Sequence, residues 1–194
     1  MEYNVEVKLL AITPDAETLL EKAGRICYDT VDKLGTNENW LSKRVQEGHE
    51  SLIEHGVATF YIKASRVLTH ELVRHRIASY SQRSQRYVKE NKADYIFPVE
   101  IAGDPDREKI FREAMDAAWA SYKKLLDAGL KAEIARYVLP NACATEIVCT
   151  WNFREIRHII KLRTSPAAQM EFRVVAGKIK DIMKKQAPKI FGDI

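Results

Sequence analysis

Glycine and proline are scarce in this 194-residue chain, at 8 and 6, and cysteine is scarcer at 3. That poverty excludes a collagen-like or low-complexity chain. Cys27, Cys143 and Cys149 are too few and too scattered for a disulfide framework or a four-cysteine zinc site. No run approaches the roughly 18 apolar residues of a membrane span, so no membrane partner is expected. The opening residues, Met1 to Glu6, lack the basic region and apolar core of a secretory signal. A reducing cytoplasm is the expected compartment. Glycine-rich phosphate loops are missing too, both the dinucleotide fingerprint and the P-loop pattern. A nucleotide would therefore be held by side chains, chiefly arginines.

What is present describes an ordinary globular chain, long enough for one domain over residues 1–194. Its net charge of +4 hides a local concentration. Between Arg74 and Arg86 lie four arginines and His75, without one acid, which points to an anionic ligand.

Residues 4–12 begin by alternating apolar and polar and read as a strand. Thr13-Pro14-Asp15 then offers a cap, a first-turn proline and an acid for a helix to about Cys27. A short helix is expected from Asn37 to Gln46, closed by Gly48, and a second strand from Val57 to Ala64. Ser65 caps a helix through about Val73, so the basic segment leaves a helix end and is expected to wrap a ligand freely. Asp104-Pro105-Asp106 opens the longest helix, with Ile110, Phe111, Met115, Ala118, Trp119, Tyr122, Leu125 and Leu126 at helical spacing and Gly129 at its end. A helix over about Lys131 to Leu139 stops before Pro140. Asn152 and Glu155 read as an N-cap with its reciprocal partner, opening a helix with Phe153, Ile156, Ile159 and Ile160 inward. Ser165-Pro166 repeats the cap-and-proline signal before a last helix ending near Lys185. Helices outnumber strands, so the fold class is α+β, helix-rich with a small sheet.

The five histidines do not form a zinc-protease motif, which needs two histidines four apart on one helix face. His49 and His55 are six apart, and His70 and His75 five, placing the pairs about 240° and 140° apart around a helix. Arg74 and Arg76 beside His75 would repel a dication, so no metal is expected. No cysteine has a base beside it in sequence, and Cys149 lies in the apolar run Ile147 to Trp151, so all three read as structural.

The basic segment is less easily dismissed. Guanidinium forks match phosphate oxygens, serine hydroxyls add short hydrogen bonds, and Tyr80 and Tyr87 supply flat faces. A solvated loop or a nucleic-acid contact would use the same composition. The order of residues is more specific: Arg74-His75-Arg76, then Ser79, then Ser84-Gln85-Arg86.

This pattern resembles the signature of flavin-dependent thymidylate synthases, R-H-R-x2-S-x4-S-x-R, and matches every fixed position. The resemblance extends over essentially the whole chain. It includes His49-Glu50-Ser51 with Glu54-His55, Ala135 to Pro140, Asn152-Phe153-Arg154, and Leu162-Arg163. It implies conversion of dUMP to dTMP, with methylenetetrahydrofolate as carbon donor, NADPH as reductant and FAD as relay. It also implies a homotetramer with active sites where subunits meet, and no nucleic-acid partner. On this chain the implied dUMP contacts are Glu71, Arg74, Ser84, Gln85, Arg86, Arg136 and Arg163, with Arg163 catalytic. The implied FAD contacts are His49, Ser51, Arg74, His75, Arg76, Gln82, Asn152, Arg154 and His158.

Several positions depart from the commonest family pattern. Gln82 stands where glutamate is frequent, Ser81 where asparagine is, and Glu71 where glutamine is. Ala167 stands where some members place a flavin-contacting histidine. A carboxylate at Glu71 near a phosphate is unfavourable unless an arginine screens it.

Overall fold

Four antiparallel strands form one sheet in the order β1-β2-β4-β3: β1 is Glu6–Ile12, β2 Val57–Ser65, β3 Ala78–Gln82 and β4 Ala144–Asn152. The computed structural model describes residues 3–194. Met1 and Glu2, which begin the segment read for a targeting signal and the expected 1–194 domain, lie outside the described residues. Helices α1 (Ala16–Cys27), α2 (Trp40–Gln46), α3 (Arg66–Leu72), α4 (Pro105–Asp127), α5 (Ala132–Ala135), α6 (Phe153–Arg163), α7 (Met170–Gln186) and α8 (Pro188–Phe191) complete an α+β fold. Among the described residues no helix is long and apolar enough to cross a membrane.

The core gathers Phe60 and Ile62 of β2, Ile147, Cys149 and Trp151 of β4, Ile156, Ile159 and Ile160 of α6, and Phe172, Val175 and Ile179 of α7. These residues are almost fully shielded from water, as the apolar stripes of α6 and α7 require when they cover one sheet.

Two strands were not expected from the sequence. In β4, Ile147, Cys149 and Trp151 are buried while Glu146, Val148 and Thr150 are more open. The apolar Val148 at an outward position makes the alternation look like an unbroken apolar run. The basic segment, expected to be free, contributes β3, with Ser79 opposite Thr150 and Tyr80 opposite Cys149. Its ladder with β4 satisfies backbone groups that a free loop would leave to water.

Other boundaries moved for local reasons. Asp15, with φ of 46°, precedes α1, while Thr13 Oγ1 accepts from the Val57 N–H at 2.9 Å and ties β1 to β2. Helix α2 starts at Trp40 rather than Asn37, and the expected 131–139 helix is a short α5 followed by a 3-10 turn, Arg136–Val138. Ser165-Pro166 lies in a turn; α7 is capped by Gln169, whose Oε1 accepts from the Phe172 N–H at 2.9 Å. Ile110, read with the apolar repeat of α4, is 68% exposed.

Candidate functional site

Two caps set the site. Ser65 Oγ accepts from the Leu68 N–H at 3.0 Å and starts α3, which ends beside Glu71. Asn152 Oδ1 accepts from the Glu155 N–H at 2.8 Å and starts α6, which ends at Arg163. In a capping box the Glu155 side chain would return to the Asn152 N–H. It turns instead to Nδ1 of His75 at 2.9 Å, which corrects the reciprocal reading of that pair.

His75 is 5% exposed, in the turn between α3 and β3. Tyr80 Oη fixes that turn, lying 2.8 and 2.7 Å from the Leu72 and His75 carbonyl oxygens while accepting from Trp151 Nε1 at 3.2 Å. Arg163 Nε donates to His75 Nε2 at 3.2 Å, Arg163 Nη1 donates to Glu71 Oε2 at 2.6 Å, and its guanidinium lies 4.6 Å from the centre of the Phe172 ring. Arg163 is thus gripped on two edges and one face. Burial lowers the His75 pKa, and Arg163 and His158 lower it further against the opposing pull of Glu155, so the imidazole is neutral.

A cleft of about 580 Å³ adjoins this group, lined by Glu50, Glu54, Ile77, Asn152, Arg154, Glu155, His158 and Lys161. Arg154 Nη1 reaches Glu54 at 2.6 Å, and Lys161 Nζ lies 3.6 Å from Glu50. The His158 ring is 5.6 Å from that of His75.

A second basic group surrounds the Ser84–Arg86 turn. Arg86 Nε donates to Glu133 of α5 at 3.0 Å, Arg66 Nη2 donates to the Arg83 carbonyl at 3.0 Å, and Gln82 Nε2 reaches Thr69 and Thr145 hydroxyls at 3.1 and 3.3 Å. Burial lowers the Arg66 pKa, reinforced by the nearby charges of Arg136 and Arg83. Among the described residues, Nε of Arg66 and Nε2 of the buried Gln85 have no hydrogen-bond partner. An unpaired buried donor costs about 1–3 kcal/mol.

The structure therefore joins Glu71, His75, Arg163, Asn152, Arg154 and His158 around one cleft and its rim, and Gln85, Arg86 and Arg136 around another basic surface. Arg74 and Arg76 are exposed on either side of His75. His49 stands apart, with its ring 6.5 Å from Tyr28 and Nε2 3.9 Å from Glu47, and Ser51 is exposed on the following 3-10 turn.

The model for the family described as thymidylate synthase complementing protein matches residues 8–189. The chain belongs to this family. It is 40% identical to a flavin-dependent thymidylate synthase of Geobacter sulfurreducens, covering 97% of this chain and 86% of that one. It is 43% identical to one from Corynebacterium efficiens, over 92% of this chain and 79% of the relative. A Clostridium tetani relative of the same name is 40% identical over 96% and 85%.

Glu155, Phe172 and Arg66, which contact His75, Arg163 and the Arg83 carbonyl, were not among the residues expected to form the site. Glu155 stands out in the sequence only as a capping partner, and Phe172 belongs to no motif. His75, Glu155 and His158 offer ligand atoms within 4.8 Å of one another. Both nitrogens of His75 are already engaged, one by Arg163 and one by Glu155, so this ring offers no free lone pair to an ion.

Proposed function

We propose that this chain catalyses the reductive methylation of dUMP to dTMP, with methylenetetrahydrofolate as carbon donor and NADPH as reductant. The observation that carries the reading is Arg163, held by Glu71, His75 and Phe172 beside a cleft lined by Asn152, Arg154 and His158. The residues present fit FAD: Asn152 keeps its amide N–H donors while its oxygen caps α6, and Arg154 and Lys161 complement a diphosphate once Glu50 and Glu54 release them. His49, Ser51, Arg74, His75, Arg76 and Gln82 complete the flavin set. Bound FAD supplies the hydride relay of the reaction.

The dUMP contacts are Glu71, Arg74, Ser84, Gln85, Arg86, Arg136 and Arg163. Gln85 lies in the same turn as Ser84 and Arg86, where the Arg86 N–H donates to Ser84 Oγ at 3.1 Å. Glu71, an unfavourable neighbour for phosphate on its own, is screened by Arg163 at 2.6 Å. Arginine does not give up its proton at ordinary pH, so Arg163 acts electrostatically, stabilising negative charge that develops on the uracil N3 and its adjacent carbonyl. Cys149 stays a thiol because burial raises its pKa, and burial holds Cys143 at about 11, so neither is a nucleophile.

The working unit is a homotetramer in the cytoplasm, with the single 1–194 domain contributing to shared sites. Exposed side chains such as Tyr137, Tyr87 and Ile77, at 84%, 77% and 65%, are available for contacts between copies. The substrates are small molecules, without a nucleic-acid or membrane partner.

Purified protein should be yellow, carry about one FAD per chain, and form dTMP only when dUMP, methylenetetrahydrofolate and NADPH are all present. Light scattering should give four times 22.3 kDa. A colourless protein that takes up no added FAD would overturn the reading, and an active monomer would overturn the shared sites.

A further inference from the structure

We infer that Glu155 is a positioning residue, which fixes the orientation of Arg163 through the buried imidazole of His75. The inference rests on the catalytic reading of Arg163 and deepens it.

The argument is one of donors and acceptors. The Nε of an arginine carries a hydrogen and no available lone pair, so it can only donate. Its 3.2 Å contact with Nε2 of His75 requires that nitrogen to be bare. The proton of the neutral ring then sits on Nδ1, which donates to Oε1 of Glu155 at 2.9 Å. The opposite tautomer would set N–H against N–H at Arg163 and a lone pair against a carboxylate at Glu155. Water cannot easily repair either mismatch, because His75 and Glu155 are 5% and 8% exposed. The carboxylate therefore selects the tautomer that accepts from Arg163.

The charged and titratable groups facing the ring are Glu155, Arg163 and His158, all from α6; Phe172 of α7 meets it edge-on at 6.1 Å between ring centres. Glu71 of α3 lies beyond, on Nη1 of Arg163. A protonated His75 would have two donors and nothing to offer Arg163, and burial disfavours that state. With Nε held by His75, Nη1 by Glu71 and the face by Phe172, Nη2 is the arm left for substrate.

The test is histidine-labelled, flavin-loaded enzyme without substrate, read by long-range proton–nitrogen NMR, with His75→Gln assigning the signal. The expected result is a neutral His75 protonated on Nδ1. Glu155→Gln keeps an oxygen that accepts this proton, so the tautomer should persist and kcat at saturating dUMP should stay within about threefold. Glu155→Met has similar length but no such oxygen, and kcat should fall about 10-fold or more at equal flavin content, as loss of a supporting shell commonly does. An Nε2-protonated His75 in the wild-type enzyme, or equal kcat for the Gln and Met variants, overturns the positioning role. A wild-type enzyme that forms no dTMP would instead remove the catalytic reading of Arg163, while the tautomer still decides whether Glu155 sets His75.

Discussion

Nη1 of Arg163 donates to Oε2 of Glu71 at 2.6 Å, tying the last turn of α6 to the last turn of α3 across 92 residues of chain. A lone guanidinium at a helix end compensates the helix dipole, worth about 0.3–1 kcal/mol. One aimed at charge developing in a transition state contributes on the order of 2.7–4 kcal/mol. Arg163→Ala should therefore lower kcat for dTMP formation by 100- to 1,000-fold. The melting temperature should fall by only a few degrees and flavin should be retained. Near-normal turnover in a folded, flavin-loaded variant would reduce Arg163 to a helix-end charge.

Gly56 precedes β2 and accepts from the Phe153 N–H at 2.8 Å through its carbonyl. A Cβ built there would meet Phe153 Cδ2 at 2.6 Å, far inside ordinary contact. Phe153 is fully buried and packed on Phe191, so it has little room to retreat. Gly56→Ala should cost about 1–3 kcal/mol by overpacking. Because Phe153 lies between Asn152 and Arg154, flavin release on dilution should also rise. Denaturant melts and flavin fluorescence measure the two effects, and an unchanged melt would refute the clash.

Cys149 lies in the middle of β4 with its thiol pair-free and inaccessible, and Cys143 is equally shielded. Cys143→Ala and Cys149→Ala should each keep substantial turnover, losing on the order of 1 kcal/mol of stability from the smaller side chain. Complete loss of activity in either variant, with flavin bound and the fold intact, would reinstate a covalent cysteine mechanism.

The C-terminus is held by an ion pair. Arg157, 2% exposed, donates Nη1 and Nη2 to the two Asp193 carboxylate oxygens at 2.6 and 2.8 Å. The hydrogen bonds from Arg157 hold the Asp193 pKa below the ordinary aspartate range. A carboxylate depressed on folding stabilises the protein above its unfolded pKa of about 3.9, and that contribution fades as pH falls through the lower folded value. Asp193→Asn should lower stability at pH 7 by about 3 kcal/mol, since Arg157 stays buried with a weaker partner. The deficit should narrow below about pH 4, where the carboxylate of the unfolded wild-type chain takes up a proton before the folded one does. Urea melts at pH 7 and pH 3 test both parts, and an equal deficit at the two values would contradict the pairing.

Local chemistry made much of this molecule legible in one dimension. The Ser65 and Asn152 caps, the apolar spacing of α4 and α6, and the spaced arginines and serines from Arg74 to Arg86 each depend on neighbours within a few residues. Such signals survive without knowing the fold. The central strand β4 did not, because burial on the sheet and burial in a helix favour the same apolar residues, and only pairing with β2 and β3 tells them apart. That pairing also turned the basic segment from a loose ligand wrap into the edge strand β3. Glu155 is the sharpest case. Its place three residues after Asn152 makes it a good capping partner, and in isolation that bond would be the nearest one available. Folding brings His75 to it across 80 residues and offers an imidazole N–H that is shielded from water. The residue types able to hold a nucleotide were therefore determined by the sequence alone. Which of them point at one another was decided by tertiary structure, because hydrogen-bond direction and desolvation exist only once distant segments share a surface.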